Sequence, residues 1–408
     1  MTLEDIDLEL YNYQLDIHRI AEYPKETRDG SRLLFVDKKN NYCKEYLFEE
    51  SVNLIPENSL IIRNSTKVLP ARIFMKKYTG GNIEVLLLKP LKPFTDYQVS
   101  LNSKTPVIWE CIIGGRIKNA KDLEIKHNDI ILYARIHEIE NNIAKIQFEW
   151  NANHLSFSEV INSIGKMPLP PYIKRESNDF DKERYQTIYA ATNGSVAAPT
   201  AGLHFTDALF NQYKAKQCII EDIVLHVGMG TFVPISSNDI HLHKMHSEKV
   251  NINISTIKSL LLALKENRNI IAIGTTSVRT IESLAWWAYK FINSNDKSKF
   301  HLALDQYEPY DSDEKFDIIH TLEQLIKYMQ DNNISTLEGN TSLLISQGYK
   351  YKIINGIFTN FHLPKSTLLL LVSSFIGYDL WKTAYNYAIT NSFRFLSYGD
   401  SSFLFDAK

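Results

Sequence analysis

The residues that could do chemistry are concentrated. Of 16 glycines and 12 histidines, five of each fall between Gly194 and Gly274. Histidine moves protons near neutral pH, and glycine lets a backbone approach a ligand closely. In the run Gly194 to Thr206, small residues around Thr200 and Gly202 leave room for a ligand, and His204 stands just before a helix start at Thr206. In Leu225 to Phe232, a strand carrying His226 ends in Gly228-Met229-Gly230, without the third glycine of a dinucleotide fingerprint. In an α/β sheet, ligands sit beyond the carboxyl ends of strands, where such a turn would lie.

Four further clusters follow. His241-Leu242-His243-Lys244-Met245-His246 invites a metal reading, because residues at i and i+2 share a strand face. Lys244 argues against a cation, and no second ligand cluster accompanies it, so no metal is expected. The run Gly274-Thr275-Thr276-Ser277-Val278-Arg279 follows an apolar strand and opens a helix. Unpaired N–H groups, three hydroxyls and a guanidinium are expected to converge there on an anion. The alternative is a helix start with Arg279 braced by Glu282 or another carboxylate. Thr359-Asn360-Phe361-His362 and Arg394 to Asp400, which includes Tyr398, read as loops mixing proton-transfer and hydrogen-bonding groups.

The elements that must position these residues are of two kinds. Leu33–Val36, Leu60–Ile62, Ile219–Val227 and Ile270–Ile273 read as buried strands, the last followed by a helix with apolar periodicity from Val278. Between about 70 and 152 the pattern is repeatedly β, with runs at Ile83–Leu88, Val107–Ile113, Ile130–Ile136 and Ile143–Phe148. The fold expected is α/β: a large α/β domain from 1–68 and 155–408 with a small all-β, barrel-like domain at 69–154. The stretch from about 290 to 338 reads as an insertion, with helical periodicity from Thr321 to Met329.

Composition narrows the function classes. A formal net charge of -2 excludes a generally basic nucleic-acid coat. From Pro70 to Lys126, however, ten Lys or Arg face five Asp or Glu, a local +5 that suits a polyanion. Lys76, Lys77, Arg116 and Lys118 are the candidate contacts. Three scattered cysteines fit a reduced compartment. The acidic start lacks an apolar signal core, and the longest apolar run, Leu368–Val372, is too short to span a bilayer. A cytoplasmic location is expected.

Together these segments resemble the S-adenosylmethionine:tRNA ribosyltransferase-isomerase family of queuosine biosynthesis. The resemblance includes Pro24 with Arg28-Asp29-Gly30-Ser31-Arg32-Leu33, Val68-Leu69-Pro70-Ala71-Arg72, Lys166 to Ile173, Glu183 to Thr187, and all six clusters. It implies transfer and isomerisation of the ribosyl part of S-adenosylmethionine onto 7-aminomethyl-7-deazaguanine at the tRNA wobble position. Adenine and methionine would leave, giving epoxyqueuosine. It implies His204, His226, His246, His362 and Asp400 as candidates for proton transfer. For substrate binding it implies Arg32, Thr200, Gly202, Gly228, Gly230, Thr275, Thr276, Arg279, Asn360 and Tyr398.

The chain also departs from the pattern. Asn64-Ser65-Thr66-Lys67 stands where the family usually has Asn-Asp-Thr-Arg, and Gln347 stands where Pro is common. A divergent paralogue with another acceptor, a non-catalytic tRNA-binding protein and a metal-dependent hydrolase on His241, His243 and His246 are the competing readings.

Overall fold

A computed structural model describes residues 6–117, 121–228, 240, 243–294, 302–310 and 315–407. Lys118, Gly230 and His241 lie outside the described residues. The fold is the expected α/β arrangement with an inserted closed barrel.

The main sheet has ten strands among the described residues. From edge to edge they are Ala303–Leu304, Thr336–Thr341, Glu248–Asn253, Ile219–Leu225, Leu60–Asn64, Ile270–Ile273, Gly356–Asn360, Ser401–Phe405, Arg32–Asp37 and Tyr42–Leu47. The four strands from Ile219–Leu225 to Gly356–Asn360 run parallel. Central parallel strands are covered on both faces and so read as continuous apolar runs; Ile270, Ile271, Ala272 and Ile273 are all fully buried. Ser401–Phe405 runs antiparallel to Gly356–Asn360 and parallel to Arg32–Asp37. The carboxyl ends of four strands and the amino ends of two therefore meet along one edge of the sheet.

Two of these strands correct the sequence reading. Thr359 and Asn360 end a strand buried along its whole length, and Asp400 immediately precedes another. Their polar side chains obscured a strand because those groups are satisfied inside the sheet. The Ser401 and Ser402 hydroxyls both donate to the Thr359 carbonyl, at 3.2 Å.

The barrel closes in the order Ile143–Trp150, Val107–Gly114, Asn82–Lys92, Arg72–Lys77, Asp122–His127 and Ile130–Glu140. Alternate residues point inward, as in Val107, Trp109, Cys111 and Ile113, giving the barrel an apolar core distinct from that of the sheet. Within the stretch 290–338, helix Ile318–Asp331 packs on the helices Ile254–Lys265 and Thr275–Asn293. Among the described residues no helix is long and apolar enough to cross a membrane.

Candidate active site

The edge where the strand ends meet is hollowed into a cleft of about 650 Å³, counting space open to solvent. Part of its wall comes from strand ends and the turns that follow them. Ile219–Leu225 delivers Val227, Ile270–Ile273 delivers Gly274, Thr275 and Thr276, and Gly356–Asn360 delivers Asn360 and His362. Gly274 has φ 89°, a left-handed conformation that lets the chain turn at once from strand to helix. No side chain caps that helix, so the Thr275 and Thr276 N–H groups have no side-chain acceptor. The Thr276 hydroxyl is buried and has no partner among the described residues.

A hydrogen-bonded chain backs the cleft. The Thr200 hydroxyl donates to Asn360 Oδ1 at 2.8 Å, which turns the Asn360 amide toward His204 Nε2, 3.3 Å away. Neutral His204 then carries its proton on Nδ1, 2.8 Å from the Ser31 hydroxyl. Burial holds His204 neutral by pushing its pKa down to about 4, and the charges of Arg394, Arg28 and Arg184 act in the same direction. Its ring also lies against Phe48, with centroids 5.1 Å apart. His204 does not line the cleft. It faces a smaller hollow shared with Arg28, Arg184 and Tyr398, and it reaches the cleft through Asn360.

His362 does line the cleft. Its Nε2 is 2.7 Å from the Thr359 hydroxyl, and burial pushes its pKa down to about 3, so it is neutral at physiological pH. Its backbone is clamped: Tyr13 donates to its carbonyl, and its N–H donates to the Tyr385 hydroxyl at 3.1 Å. Opposite stand Tyr172 and Ser397, whose hydroxyls are 2.5 Å apart. Neither is a site candidate on sequence grounds alone. The signal that points to Tyr172 is the Pro-rich run before it, which fixes an extended approach to the cleft.

The structure thus gathers Thr200, Thr275, Thr276, Asn360 and His362 and separates several other candidates. Asp400 is fully buried and accepts from the backbone N–H groups of Arg32 and Arg394, at 3.0 and 2.8 Å; it braces two segments away from the cleft. Arg32 is forked onto Glu45 and stacked on Phe393, 3.9 Å from the ring centre. Tyr398 donates to Asp181 at 2.8 Å. Gly202 is a packing residue, since a Cβ there would lie 2.1 Å from the Tyr189 hydroxyl oxygen. Gly228 is not among the cleft residues and has open space around it. His226 is buried under Tyr97 of the inserted segment, with ring centroids 4.5 Å apart, and burial pushes its pKa to about 4.

The expected convergence around Gly274 also needs correction. The Ser277 hydroxyl donates to the Ile273 carbonyl at 2.7 Å and so turns away from the cleft. Arg279 lies one turn further along and opens onto a second cavity, which His243 and His246 share. It is braced by Glu248, while Glu282 instead accepts from the backbone N–H groups of Lys352, Ile353 and Ile354. Among the described residues no group of three His, Cys, Asp or Glu is arranged to hold a metal.

On the barrel, Lys76 and Arg116 are exposed, and Lys77 donates to the Arg116 carbonyl. Arg72 and Lys89 are paired with Glu84 and Glu110, so the local charge excess rests on the other cations of the stretch. The departures from the expected pattern lie off the cleft. Ser65 is buried and donates to the Ile223 carbonyl, Lys67 is exposed, and Gln347 bonds to Ser373.

The sequence was compared with known proteins. The family model described as queuosine biosynthesis protein matches residues 8–404. Similar curated proteins are the S-adenosylmethionine:tRNA ribosyltransferase-isomerases of Fusobacterium nucleatum and Halothermothrix orenii. The first is 36% identical over 97% of this chain and 96% of its own, the second 35% over 97% and 98%. A crystal structure of S-adenosylmethionine tRNA ribosyltransferase from Thermotoga maritima aligns with a TM-score of 0.47 at 24% identity, covering 97% of this chain and 99% of that one. A match that runs almost from end to end leaves one conclusion: the chain belongs to the queuosine biosynthesis protein family.

Proposed function

We propose that this chain is an S-adenosylmethionine:tRNA ribosyltransferase-isomerase. It moves the ribosyl moiety of S-adenosylmethionine onto 7-aminomethyl-7-deazaguanine at the tRNA wobble position, giving epoxyqueuosine with release of adenine and methionine. The observation that carries this reading is the near full-length likeness to enzymes of that name, at about 35% identity. The cleft supports it: hydroxyls, the Asn360 amide and the His362 imidazole are set among apolar residues on its lining.

The residues take roles that follow from their placement. The sulfonium acidifies the adjacent C5′ hydrogens, and the attacking amine must shed a proton. Departing adenine needs one in return. His362 is the imidazole on the cleft lining and takes the acceptor role; burial leaves it unprotonated at neutral pH and also weakens it as a base. Asn360 presents its amide to the sugar, held by Thr200 on one side and His204 on the other. His204 is a positioning residue. The Thr276 hydroxyl and the open helix start supply donors for a developing negative charge. Transfer RNA docks in part on the barrel, through Lys76, Lys77 and Arg116.

The paralogue with a different acceptor is not favoured, since Ser65 and Lys67 are absent from the cleft lining. The test is incubation with S-adenosylmethionine and tRNA carrying the deazaguanine precursor. Free adenine and methionine are expected in equal amounts, with the modified nucleoside in the tRNA. Release of S-adenosylhomocysteine would overturn the proposal.

A further inference from the structure

Beside the cleft lies a second, narrower hollow that is partly open to solvent. It shares Leu368 with the cleft, so the two spaces have a common wall. Helix Thr275–Asn293 connects them as well. Thr275 and Thr276 line the cleft, and Arg279 lines the cavity. At 1.5 Å rise per residue, three to four positions separate the two by about 5–6 Å along the helix.

The cavity is chemically two-ended. Met245, Leu344, Leu368 and Leu371 form an apolar wall, and Arg279 and Glu248 stand together as the charged pair. Arg279 is 4% exposed. Its Nε donates to the Leu343 carbonyl at 2.9 Å, and Nη1 donates to Glu248. Its third nitrogen, Nη2, is buried and has no partner among the described residues. A buried charged donor without an acceptor is costly, and a guanidinium edge is shaped for a carboxylate.

We infer that this cavity receives the amino-acid end of the sulfonium donor, with the donor's carboxylate on Arg279 Nη2. The methylene chain runs along the apolar wall, and the α-ammonium lies on the Glu248 side of the pair. An α-amino acid carries both charges on one carbon, and the cavity offers both complementary charges at one end. The inference rests on the reading of the cleft as the site of S-adenosylmethionine. It adds that the departing methionine occupies a compartment of its own, walled off from the sugar by Leu368.

The test is calorimetric titration of the full chain with S-adenosylmethionine, with its decarboxylated form and with 5′-methylthioadenosine. The wild-type protein is expected to bind the first at least ~10-fold more tightly than the second, the weight of one charge-assisted pair. In Arg279→Gln that preference disappears. Because Arg279→Gln breaks a buried ion pair with Glu248 and can unfold, Met245→Trp is the second variant. It fills the cavity from its more open side, and it should weaken S-adenosylmethionine while leaving 5′-methylthioadenosine within about 2-fold. Equal wild-type affinity for the carboxylated and decarboxylated donors would overturn the inference and leave the cleft reading standing. No wild-type binding of S-adenosylmethionine at all, with no adenine released, would remove the cleft reading and this inference with it.

Discussion

The cleft and the barrel face differ in how their polar groups are held. At the cleft, Thr200 and Asn360 are fixed to each other and, behind them, to His204 and Ser31, and His362 is clamped through its backbone. On the barrel, Lys76 and Arg116 stand in solvent, and neighbouring charges are paired with carboxylates. Held groups need little reorganisation when charge develops, which is what a reacting centre requires. Solvated charges on long side chains adapt to a polyanion and give way to salt. On the proposed reading, bond-making falls to the sheet edge and docking to the barrel.

That division can be broken most severely at His362. His362→Phe should lower the rate of adenine release by ~10²–10⁴-fold, the usual range for removal of a proton-transfer group. Affinity for tRNA should be unchanged, as read by filter binding. A His362→Phe enzyme with near wild-type turnover would move proton transfer elsewhere.

On the barrel the expected effect is on binding alone. Reversing Lys76, Lys77 and Arg116 to Glu should weaken tRNA binding and reduce the log–log salt slope by about one for each phosphate that no longer meets a cation. An unchanged slope would place the docking face elsewhere.

The buried histidines sharpen the comparison through pH. His204 and His226 have folded pKa values pushed down to about 4, against 6.5 when free. Below 6.5 the unfolded chain takes up protons that the folded chain refuses. Their contribution to stability is therefore complete above pH 6.5 and is lost as pH falls toward 4. Between pH 7.5 and 5 the loss is roughly 2–4 kcal/mol for the pair. His362, lowered to about 3, adds a loss of the same sign and size as either of these, so thermal melts at the two pH values read all three, and His226→Phe, which keeps a ring against Tyr97, should remove about a third of the difference. A melting temperature independent of pH in this range would contradict the neutral, buried state.

The smallest effect is expected at the departures from the family pattern. Lys67→Arg should change turnover by less than about 2-fold, as for a surface site away from the chemistry. A large gain would show that this position communicates with the acceptor.

The reach of the sequence differed between the same two regions. Four of the six barrel strands and the strands Leu60–Asn64 and Ile270–Ile273 were legible because runs of β-branched and aliphatic residues suit a buried strand, whereas the more charged Arg72–Lys77 and Asp122–His127 were not read as strands. Gly356–Asn360 and Ser401–Phe405 were not, since their Thr, Asn and Ser side chains look solvated until partners inside the sheet satisfy them. Within the site, the short runs of small and polar residues marked where the chemistry lies. They did not distinguish a histidine that lines the cleft from one that stands behind it. His204 and His362 differ in role because of Ser31 and Asn360, which approach His204 from 173 and 156 positions away. Asp400 misled for the same reason: its backbone partners make it a brace. Glu248 lies 31 positions before Arg279, too far along the chain for spacing to reveal the pair.

The central claim, that the sheet edge reacts while the barrel docks, is tested most directly by one steady-state experiment. Adenine release is measured against tRNA concentration, at saturating S-adenosylmethionine, for Asn360→Ala and for the Lys76, Lys77, Arg116 reversal side by side. The account predicts a kcat lowered ~100-fold in Asn360→Ala with KM for tRNA unchanged, and a raised KM with kcat intact in the barrel variant. A barrel variant whose kcat falls at saturating tRNA, or an Asn360→Ala enzyme whose kcat survives, would contradict it.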